Sequence, residues 1–314
     1  MNDNICIKNV TVSFTAKAGI VQAVNHIDAI FNSGEITGII GETGSGKSVL
    51  GLSVLRLLAE NSRVTGNIIY QDRDILQLPA QELNQLRGKT IAFIPQNTDT
   101  AFNPVMTVGR QIGEGAAYHH NIPQAAARRQ AIEQLRRYAF QEPQTVAARY
   151  PFQLSGGMRQ RALCAMSTAL SPKWLIADEP TKGLDAIIRR QVFQLFHDLK
   201  ASAGISVMLI THDLRLAEKL CDAIFVLYAG TVLEQGTAGE IFAGPLHPYT
   251  RGLINAQPHK TLTPLPGMPP SLIDLPAGCK FQPRCSCRKS ICRLQEPPLQ
   301  AINGRRQVRC WQYA

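Results

Sequence analysis

The sequence predicts an α/β fold organised around a parallel β-sheet, and three observations lead to this prediction. A short apolar run at 36–40 is followed by a glycine-rich loop and then by a segment with helical spacing. Further apolar runs at 90–94, 174–177 and 205–210 have the length of buried strands. The stretch from 104 to about 169 has helical spacing and no strand, which indicates a helical insertion between strands of one sheet.

The glycine-rich loop matches G-x-x-x-x-G-K-S, the phosphate-binding P-loop pattern, in its strand–loop–helix context. Its glycines let consecutive backbone N–H groups face one anion, and the helix N-terminus adds partial positive charge. We expect Lys47 to reach the β- and γ-phosphates of a nucleotide and the Ser48 hydroxyl to ligate Mg²⁺. The predicted nucleotide-binding residues of the loop are Gly41, Glu42, Thr43, Gly44, Ser45, Gly46, Lys47 and Ser48.

Two segments before the loop, 5–14 and 21–31, alternate apolar and polar residues in the manner of half-buried strands. Phe14 is the nearest aromatic side chain that could stack on an adenine. It could equally be a core residue of an antiparallel sheet, and both interpretations stay open at this point.

Polar residues follow three of the predicted strands. Gln96 comes after the strand at 90–94, and in isolation it would be an ordinary turn residue. Asp178 and Glu179 end an apolar strand, where two adjacent acids are costly unless a cation or a reacting water uses them. His212 follows the strand at 205–210, at the carboxyl edge where such sheets place ligands. We expect Asp178 to serve Mg²⁺, and Glu179 to act as the general base for water.

A second candidate phosphate-facing helix start lies within the helical insertion. Ser155 is a natural N-cap, and Gly156 and Gly157 allow the backbone to approach a ligand. The alternative is an ordinary capped helix.

The last part of the chain is rich in proline and then in cysteine. Prolines between 258 and 276 predict an extended linker. Cys279, Cys285, Cys292 and Cys310 follow with the spacing C-x5-C-x6-C-x17-C, and Cys287 is additional. Four thiolates can hold a tetrahedral Zn²⁺ or a [4Fe–4S] cluster, and free thiols are the remaining alternative.

The 314 residues carry a formal net charge of +10, which can indicate nucleic acid or an anionic membrane surface as a partner. The arginines are scattered, however, and no block of five or six like charges occurs. The N-terminus lacks the pattern of a signal peptide, and no apolar stretch is long enough to span a bilayer. These observations predict a cytosolic protein.

Taken in order, the motifs resemble those of the ATP-binding cassette (ABC) ATPases. The resemblance covers residues 1 to about 245 and rests on the P-loop, Gln96, the signature at 154–160, Asp178-Glu179 and His212. It implies an ABC-type P-loop NTPase: a RecA-like core, an antiparallel β subdomain, an α-helical subdomain at about 104–170, and a cysteine-rich extension at 246–314. The segment His247-Pro248-Tyr249-Thr250 and the cysteines resemble the ATPase subunits of bacterial oligopeptide, dipeptide and nickel importers.

The family resemblance implies site roles and partners. ATP and Mg²⁺ would lie between two cassettes, with Ser155, Gly156, Gly157 and Gln160 acting on the nucleotide of the partner cassette. Gln96 would also ligate Mg²⁺, and His212 would hold the γ-phosphate and water. The loop at Asp185 would face the partner; Lys182 and Gly183, which precede Leu184-Asp185, depart from the usual family pattern of Ser or Thr followed by Ala.

The resemblance also implies a peripheral location on the cytoplasmic face of the inner membrane. The expected partners are two transmembrane permeases, a second cassette that is identical or different, and an extracytoplasmic substrate-binding protein; nucleic acid is not expected. Resemblance to importer ATPases with an iron–sulfur cluster favours [4Fe–4S] over zinc at the four cysteines. Peptide is the favoured cargo and nickel or another chelated metal the alternative. A soluble ABC protein acting on nucleic acid or ribosomes, and a regulatory ATPase, are more distant alternatives.

Overall fold

A computed structural model of the protein describes residues 3–184, 186–258 and 260–314. The chain forms two compact units, one of Met1–Gln77 with Leu209–Ala314 and the other of Leu78–Met208. The α/β class predicted from the sequence is confirmed, because each unit contains a pair of parallel strands together with helices. No helix in the described ranges is long and apolar enough to cross a membrane.

The strands of the described residues match most of the apolar runs identified in the sequence. They are β1 (Ile5–Ala16), β2 (Gly19–Phe31), β3 (Ile36–Ile40), β4 (Ser62–Tyr70), β5 (Arg73–Asp74), β6 (Ile91–Ile94), β7 (Trp174–Asp178), β8 (Ser206–Ile210), β9 (Ala223–Tyr228), β10 (Thr231–Thr237), β11 (Gln300–Asn303) and β12 (Arg306–Val308).

The helices of the described residues include every predicted helical segment. They are α1 (Lys47–Val54), α2 (Ala80–Leu86), α3 (Thr98–Ala101), α4 (Val108–His120), α5 (Gln124–Arg137), α6 (Pro143–Ala148), α7 (Gly156–Ser167), α8 (Ala186–Ala203), α9 (Leu214–Leu220), α10 (Ala238–Ala243), α11 (Pro248–Asn255) and α12 (Ile291–Leu294).

The first unit holds the antiparallel sheet that the alternation at 5–14 and 21–31 predicts. Its strands run in the order β2-β1-β4-β5. The same unit contains strands in the order β11-β12-β10-β9-β3, in which β3 and β9 are parallel and pair Ile39 with Phe225. All five residues of β3 are buried, so this strand anchors the start of the P-loop inside the core.

The second unit contains the parallel pair β6–β7 and the helices α2 to α8. Trp174, Leu175, Ile176 and Ala177 of β7 are all 0% exposed. Among the helices, α4 and α5 approach so closely that a Cβ on Gly113 would lie 2.8 Å from the Ala127 carbonyl oxygen. Glycine at position 113 therefore permits the close spacing of α4 and α5.

The C-terminal tail is more ordered than the sequence suggests. The predicted linker has no helix or strand between 261 and 278, as expected, but β12 pairs antiparallel with β10 and extends the sheet. Phe281 is 2% exposed and packs with its ring centroid 5.4 Å from those of Tyr228 and Tyr249. The tail is thus attached through a strand and an aromatic cluster, and its cysteines are not its only anchor. The strand at 306–308 is too short for periodicity to reveal it.

A buried ion pair fastens β12 to the sheet and gives the first prediction. Glu234 is 0% exposed and accepts hydrogen bonds from Arg306 Nη2 at 3.0 Å and from the His247 N–H at 2.9 Å. Arg306→Ala would leave a buried carboxylate without its cation, so we expect the free energy of unfolding to fall by about 3–5 kcal/mol in chemical denaturation.

The matched control is Arg305→Ala, because Arg305 is 55% exposed and pairs with Glu35 at the surface. Loss of an exposed pair should cost less than about 1 kcal/mol. Equal small losses for both variants would contradict the assignment of Arg306 as the anchor of the tail strand.

Candidate functional site

The P-loop leads directly into α1, whose first residue is Lys47. The residue before it, Gly46, is the N-cap with a φ of 100°, and it forms no side-chain cap hydrogen bond. The first backbone N–H groups of an uncapped helix need an acceptor from outside the helix. Together with the helix dipole, they form an anion-binding site of the kind the sequence predicts.

Close backbone contacts explain why glycine occupies both ends of the loop. A Cβ on Gly46 would lie 2.2 Å from the Ala23 carbonyl oxygen, and one on Gly41 would lie 2.2 Å from the Leu227 carbonyl oxygen. The loop is therefore pressed against β2 on one side and β9 on the other. This packing fixes its backbone before any ligand arrives.

The lysine of the loop is folded back over it. Lys47 is 6% exposed, and its Nζ donates to the carbonyl oxygens of Gly41 and Glu42, both at 2.9 Å. Ser45 is 4% exposed, and its Oγ has no hydrogen-bond partner in the described part of the chain. A buried hydroxyl of this kind needs a partner, and a phosphate oxygen would supply one.

His212 belongs to the same unit as the P-loop. The Thr211 N–H donates to the Ile39 carbonyl oxygen at 3.2 Å, so the end of β8 lies beside the strand that leads into the loop. His212 is exposed at this edge, and Asp213 caps α9 by accepting from the Leu216 N–H at 3.0 Å. The cap fixes the backbone next to the histidine.

Gln96, Asp178 and Glu179 belong to the second unit and lie at one edge of its parallel pair. The register pairs Ile94 with Ala177, so Gln96 and Glu179 each follow two residues beyond the paired positions. Asp178 is 4% exposed and Glu179 is 7% exposed, whereas Gln96 is exposed. Glu179 has a φ of 50°, an unfavourable left-handed conformation for a residue other than glycine.

The remaining predicted nucleotide contacts have mixed environments. Ser155 is the N-cap of α7, and its Oγ accepts from the Met158 N–H at 3.3 Å. Ser155 and Gly156 are exposed, while Gln160 is 4% exposed. Phe14 is half-buried and absent from the fully buried core. Asp185 lies outside the described residues.

The cysteines of the tail converge, but they do not form a finished metal site. In the described part of the chain, no group of three or more His, Cys, Asp or Glu side chains is arranged to hold a metal ion. Burial raises the pKa of Cys279 to about 11 and also raises those of Cys285 and Cys310, so these thiols are protonated at neutral pH. One cavity of about 10 Å³ is lined by Cys279, Cys285, Cys287, Cys292, Cys310 and His247, among others.

His247 offers a hydrogen-bond donor to this cavity. Its Nδ1 accepts from the Tyr249 N–H at 3.0 Å and caps α11, and burial lowers its pKa to about 3. The ring is therefore neutral at pH 7, and its proton lies on Nε2. His247 is 1% exposed, and Nε2 has no hydrogen-bond partner among the described residues. A sulfur ligand in the cavity would suit this donor.

One contact to the P-loop could not be found by sequence reasoning. The side chain of Glu42 forms two hydrogen bonds with Arg284, a residue 242 positions away in the cysteine-rich tail. An arginine next to a cysteine carries no signal of a partner at that distance along the chain.

Comparison with known proteins agrees with these motifs. Residues 24–182 match the ABC transporter family, and residues 233–292 match the family described as oligopeptide/dipeptide transporter, C-terminal region. The chain is 40% identical to the oligopeptide transport ATP-binding protein OppD of Escherichia coli (strain K12), over 97% of this chain and 92% of that protein. It is 39% identical to the dipeptide transport ATP-binding protein DppD of Bacillus subtilis (strain 168), over 99% of this chain and 95% of that protein.

A solved structure shares the fold. The dimeric post-hydrolysis state of the ATP-binding cassette MJ0796, bound to ADP and Pi, is 26% identical with a TM-score of 0.67. The likeness covers 74% of this chain and 98% of that one.

Two glycines of the P-loop give a matched pair of substitutions. Gly46→Ala would combine a left-handed backbone with the clash against Ala23, so we expect it to lower the free energy of unfolding by about 2–5 kcal/mol. Gly44 has a φ of 81°, but no atom lies within 4 Å of the place a Cβ would occupy, so Gly44→Ala should cost only about 1–2 kcal/mol. Chemical denaturation measures the free energy of unfolding of both variants. Equal losses in Gly46→Ala and Gly44→Ala would show that the contact with β2 does not constrain the loop.

Proposed function

This chain belongs to the ABC transporter family, and we propose that it is the ATP-hydrolysing subunit of a membrane importer for di- and oligopeptides. One observation carries the choice of cargo: the region at 233–292 matches the oligopeptide/dipeptide transporter C-terminal family, in addition to the cassette itself. The likeness to the peptide-transport proteins extends over nearly the whole chain. The division into a cassette at 1–245, with a helical subdomain at 104–170, and an extension at 246–314 is part of this proposal.

We propose that the P-loop binds the phosphates of ATP. The uncapped start of α1, the buried Ser45 hydroxyl and the position of Lys47 support this role. Ser48, Gln96 and Asp178 would hold Mg²⁺, which supplies charge neutralisation at the phosphates when bound. Phe14 would stack on the adenine, and its half-buried ring leaves one part accessible for such a contact.

The proposed hydrolysis step relies on three further side chains. Glu179 would take a proton from the attacking water as general base, with its carboxylate held by a strained backbone at the sheet edge. His212 would hold the γ-phosphate and the water, and Gln96 would orient the water. The exposure of Gln96 and His212 supports their availability to a ligand.

Pairing with a second cassette is the next part of the proposal. Ser155 and Gly156 are exposed at the start of α7, so they are accessible to a nucleotide held by another chain. Gly157, Gln160 and the loop at Asp185 would complete that contact. The second cassette would be an identical or a different chain. If the two chains differ, the unusual Lys182-Gly183 sequence would make the two ATP sites unequal.

The proposed assembly also includes two permeases and an extracytoplasmic binding protein. A cytoplasmic helix of a permease would dock near Gln96, and the chain would work at the cytoplasmic face of the inner membrane. ATP-driven closure and reopening of the cassette pair would then drive the permeases. Nickel or another chelated metal is the competing cargo.

We propose that Cys279, Cys285, Cys292 and Cys310 bind a [4Fe–4S] cluster. The support is the kind of donor: four thiols and the Nε2–H of His247, which has no partner among the described residues, line one cavity, and the side chains would have to rearrange to hold the cluster. The raised pKa values mean that binding must displace protons, so metal uptake should strengthen as pH rises. Zn²⁺ at the same cysteines is the alternative.

Affinity purification of the chain from membranes under anaerobic conditions tests the proposed function. We expect two permeases and a second cassette to purify with it, together with about four irons per chain. A soluble chain that binds RNA in a salt-sensitive manner would instead support a role on nucleic acid. About one zinc per chain and no iron would indicate a zinc site at these cysteines in place of the cluster.

Glu179→Gln tests the catalytic assignment. The substitution removes the base but keeps the shape and the hydrogen bonding of the side chain, so we expect ATP binding to persist while turnover falls by about 100-fold or more. Mant-ATP fluorescence measures binding, and phosphate release measures turnover. Glu218→Gln, the same change at an exposed position of α9, is the control. Wild-type turnover in the Glu179 variant would exclude it as the base.

Cys292→Ser tests the metal site. Loss of one thiolate from a four-ligand site should remove iron and the visible absorption together. Cys287→Ser is the control, because Cys287 is exposed and additional to the proposed set. Iron that remains stoichiometric in Cys292→Ser, or that is lost in the control alone, would show that the ligands are assigned wrongly.

A further inference from the structure

Glu42 is a charged residue inside the P-loop, and the tail neutralises it. Arg284 Nη1 donates to Glu42 Oε2 at 2.6 Å, and Nη2 donates to Oε1 at 2.9 Å. This is a two-bond contact between a guanidinium and a carboxylate, the strongest common form of an ion pair. The Arg284 side chain is 4% exposed and that of Glu42 is 24% exposed, so water screens the pair only partly.

Arg284 is held in this position from several sides. Its Nε donates to the Pro266 carbonyl oxygen at 2.7 Å, and its Nη1 also donates to the Tyr228 hydroxyl at 3.3 Å. The guanidinium carbon lies 5.7 Å from the ring centroid of Tyr228 and 5.8 Å from that of Phe281. The tail therefore presents the guanidinium in a fixed orientation, and little side-chain freedom is lost when it contacts Glu42.

The backbone of Glu42 connects the same contact to the phosphate-binding lysine. Its N–H donates to the Tyr249 hydroxyl at 2.8 Å, and its carbonyl oxygen accepts from Lys47 Nζ at 2.9 Å. Tyr249 is 0% exposed and belongs to α11 of the C-terminal extension. Two residues of the extension thus hold one residue of the loop, through its side chain and through its backbone.

We propose that Arg284 is a positioning residue for the P-loop, through which the cysteine-rich tail sets the affinity of this chain for ATP. The proposal rests on the function proposed above and deepens it. Arg284 has two effects: it offsets the negative charge of Glu42, and it holds the loop backbone in place. A carboxylate without this partner would repel the phosphates of ATP, since like charges at short range in a partly buried site are unfavourable.

The two effects can be separated by substitution. Arg284→Gln leaves the Glu42 charge uncompensated, so we expect the Kd for mant-ATP with Mg²⁺ to rise about tenfold, which corresponds to the loss of one good charged contact. In the double variant Glu42→Gln with Arg284→Gln, the repulsion is gone, so the Kd should fall below that of Arg284→Gln; the excess that remains over wild type measures the lost hold on the loop backbone. Arg284→Lys keeps the charge without the two-bond geometry, so its Kd for mant-ATP should lie between those of wild type and Arg284→Gln.

Arg305→Gln is the matched control, because it removes another tail arginine from a pair with an N-terminal glutamate outside the P-loop. Its Kd should equal that of wild type. Thermal melting without nucleotide identifies any variant that fails to fold. If Arg284→Gln fails to fold, the Kd values of Arg284→Lys and of the double variant test the proposal instead. In steady-state hydrolysis, a positioning role raises KM for ATP in Arg284→Gln while kcat changes less.

Two results would overturn the proposal. The first is a wild-type Kd in Arg284→Gln, and the second is a rise of the Kd in the control Arg305→Gln as large as that in Arg284→Gln. Either result, obtained while the wild-type chain binds and hydrolyses ATP, would leave the proposed function intact. A wild-type chain that binds no mant-ATP would overturn the function and this proposal together.

Discussion

The P-loop, the proposed nucleotide site, depends on close backbone contacts that leave no room for side chains. The P-loop passes within van der Waals distance of β2 and β9, and glycine at both ends makes this approach possible. The antiparallel sheet, the buried strand β3 and the hairpin of β9 and β10 therefore act as the support for one loop. The resulting uncapped helix start is available for an anion before a ligand binds.

The C-terminal extension is part of this support. Its strand β12 continues the sheet through a buried Arg306–Glu234 pair, and Glu234 also holds the backbone of His247. The segment 247–249 contacts both sites. His247 lines the cysteine cavity, and the Tyr249 hydroxyl oxygen accepts a hydrogen bond from the P-loop backbone. The metal chemistry proposed for the cysteines and the nucleotide chemistry proposed for the loop are thus close neighbours in one unit.

Local patterns in the sequence were sufficient to predict the α/β class and the strand–loop–helix at Lys47, because strand length and helical spacing are visible within a short stretch of sequence. The polar ends of β6 and β7 were also predictable, since parallel strands bring their carboxyl ends to the same edge. The Arg284–Glu42 pair and the strand β12 were not, because each depends on residues far apart in the chain. The donor at His247 Nε2, which has no partner among the described residues, could not be predicted either, because the contact of Nδ1 with the Tyr249 N–H defines the tautomer.

Transport in reconstituted vesicles tests most directly whether ATP hydrolysis by this chain drives peptide import. The chain, its co-purified permeases and second cassette would be placed in liposomes with the binding protein outside the bilayer and ATP on the cassette side. Accumulation of a labelled tripeptide with ATP, but not with a non-hydrolysable analogue, is the predicted result. Accumulation of ⁶³Ni in place of peptide, or ATP hydrolysis without any uptake, would contradict this function.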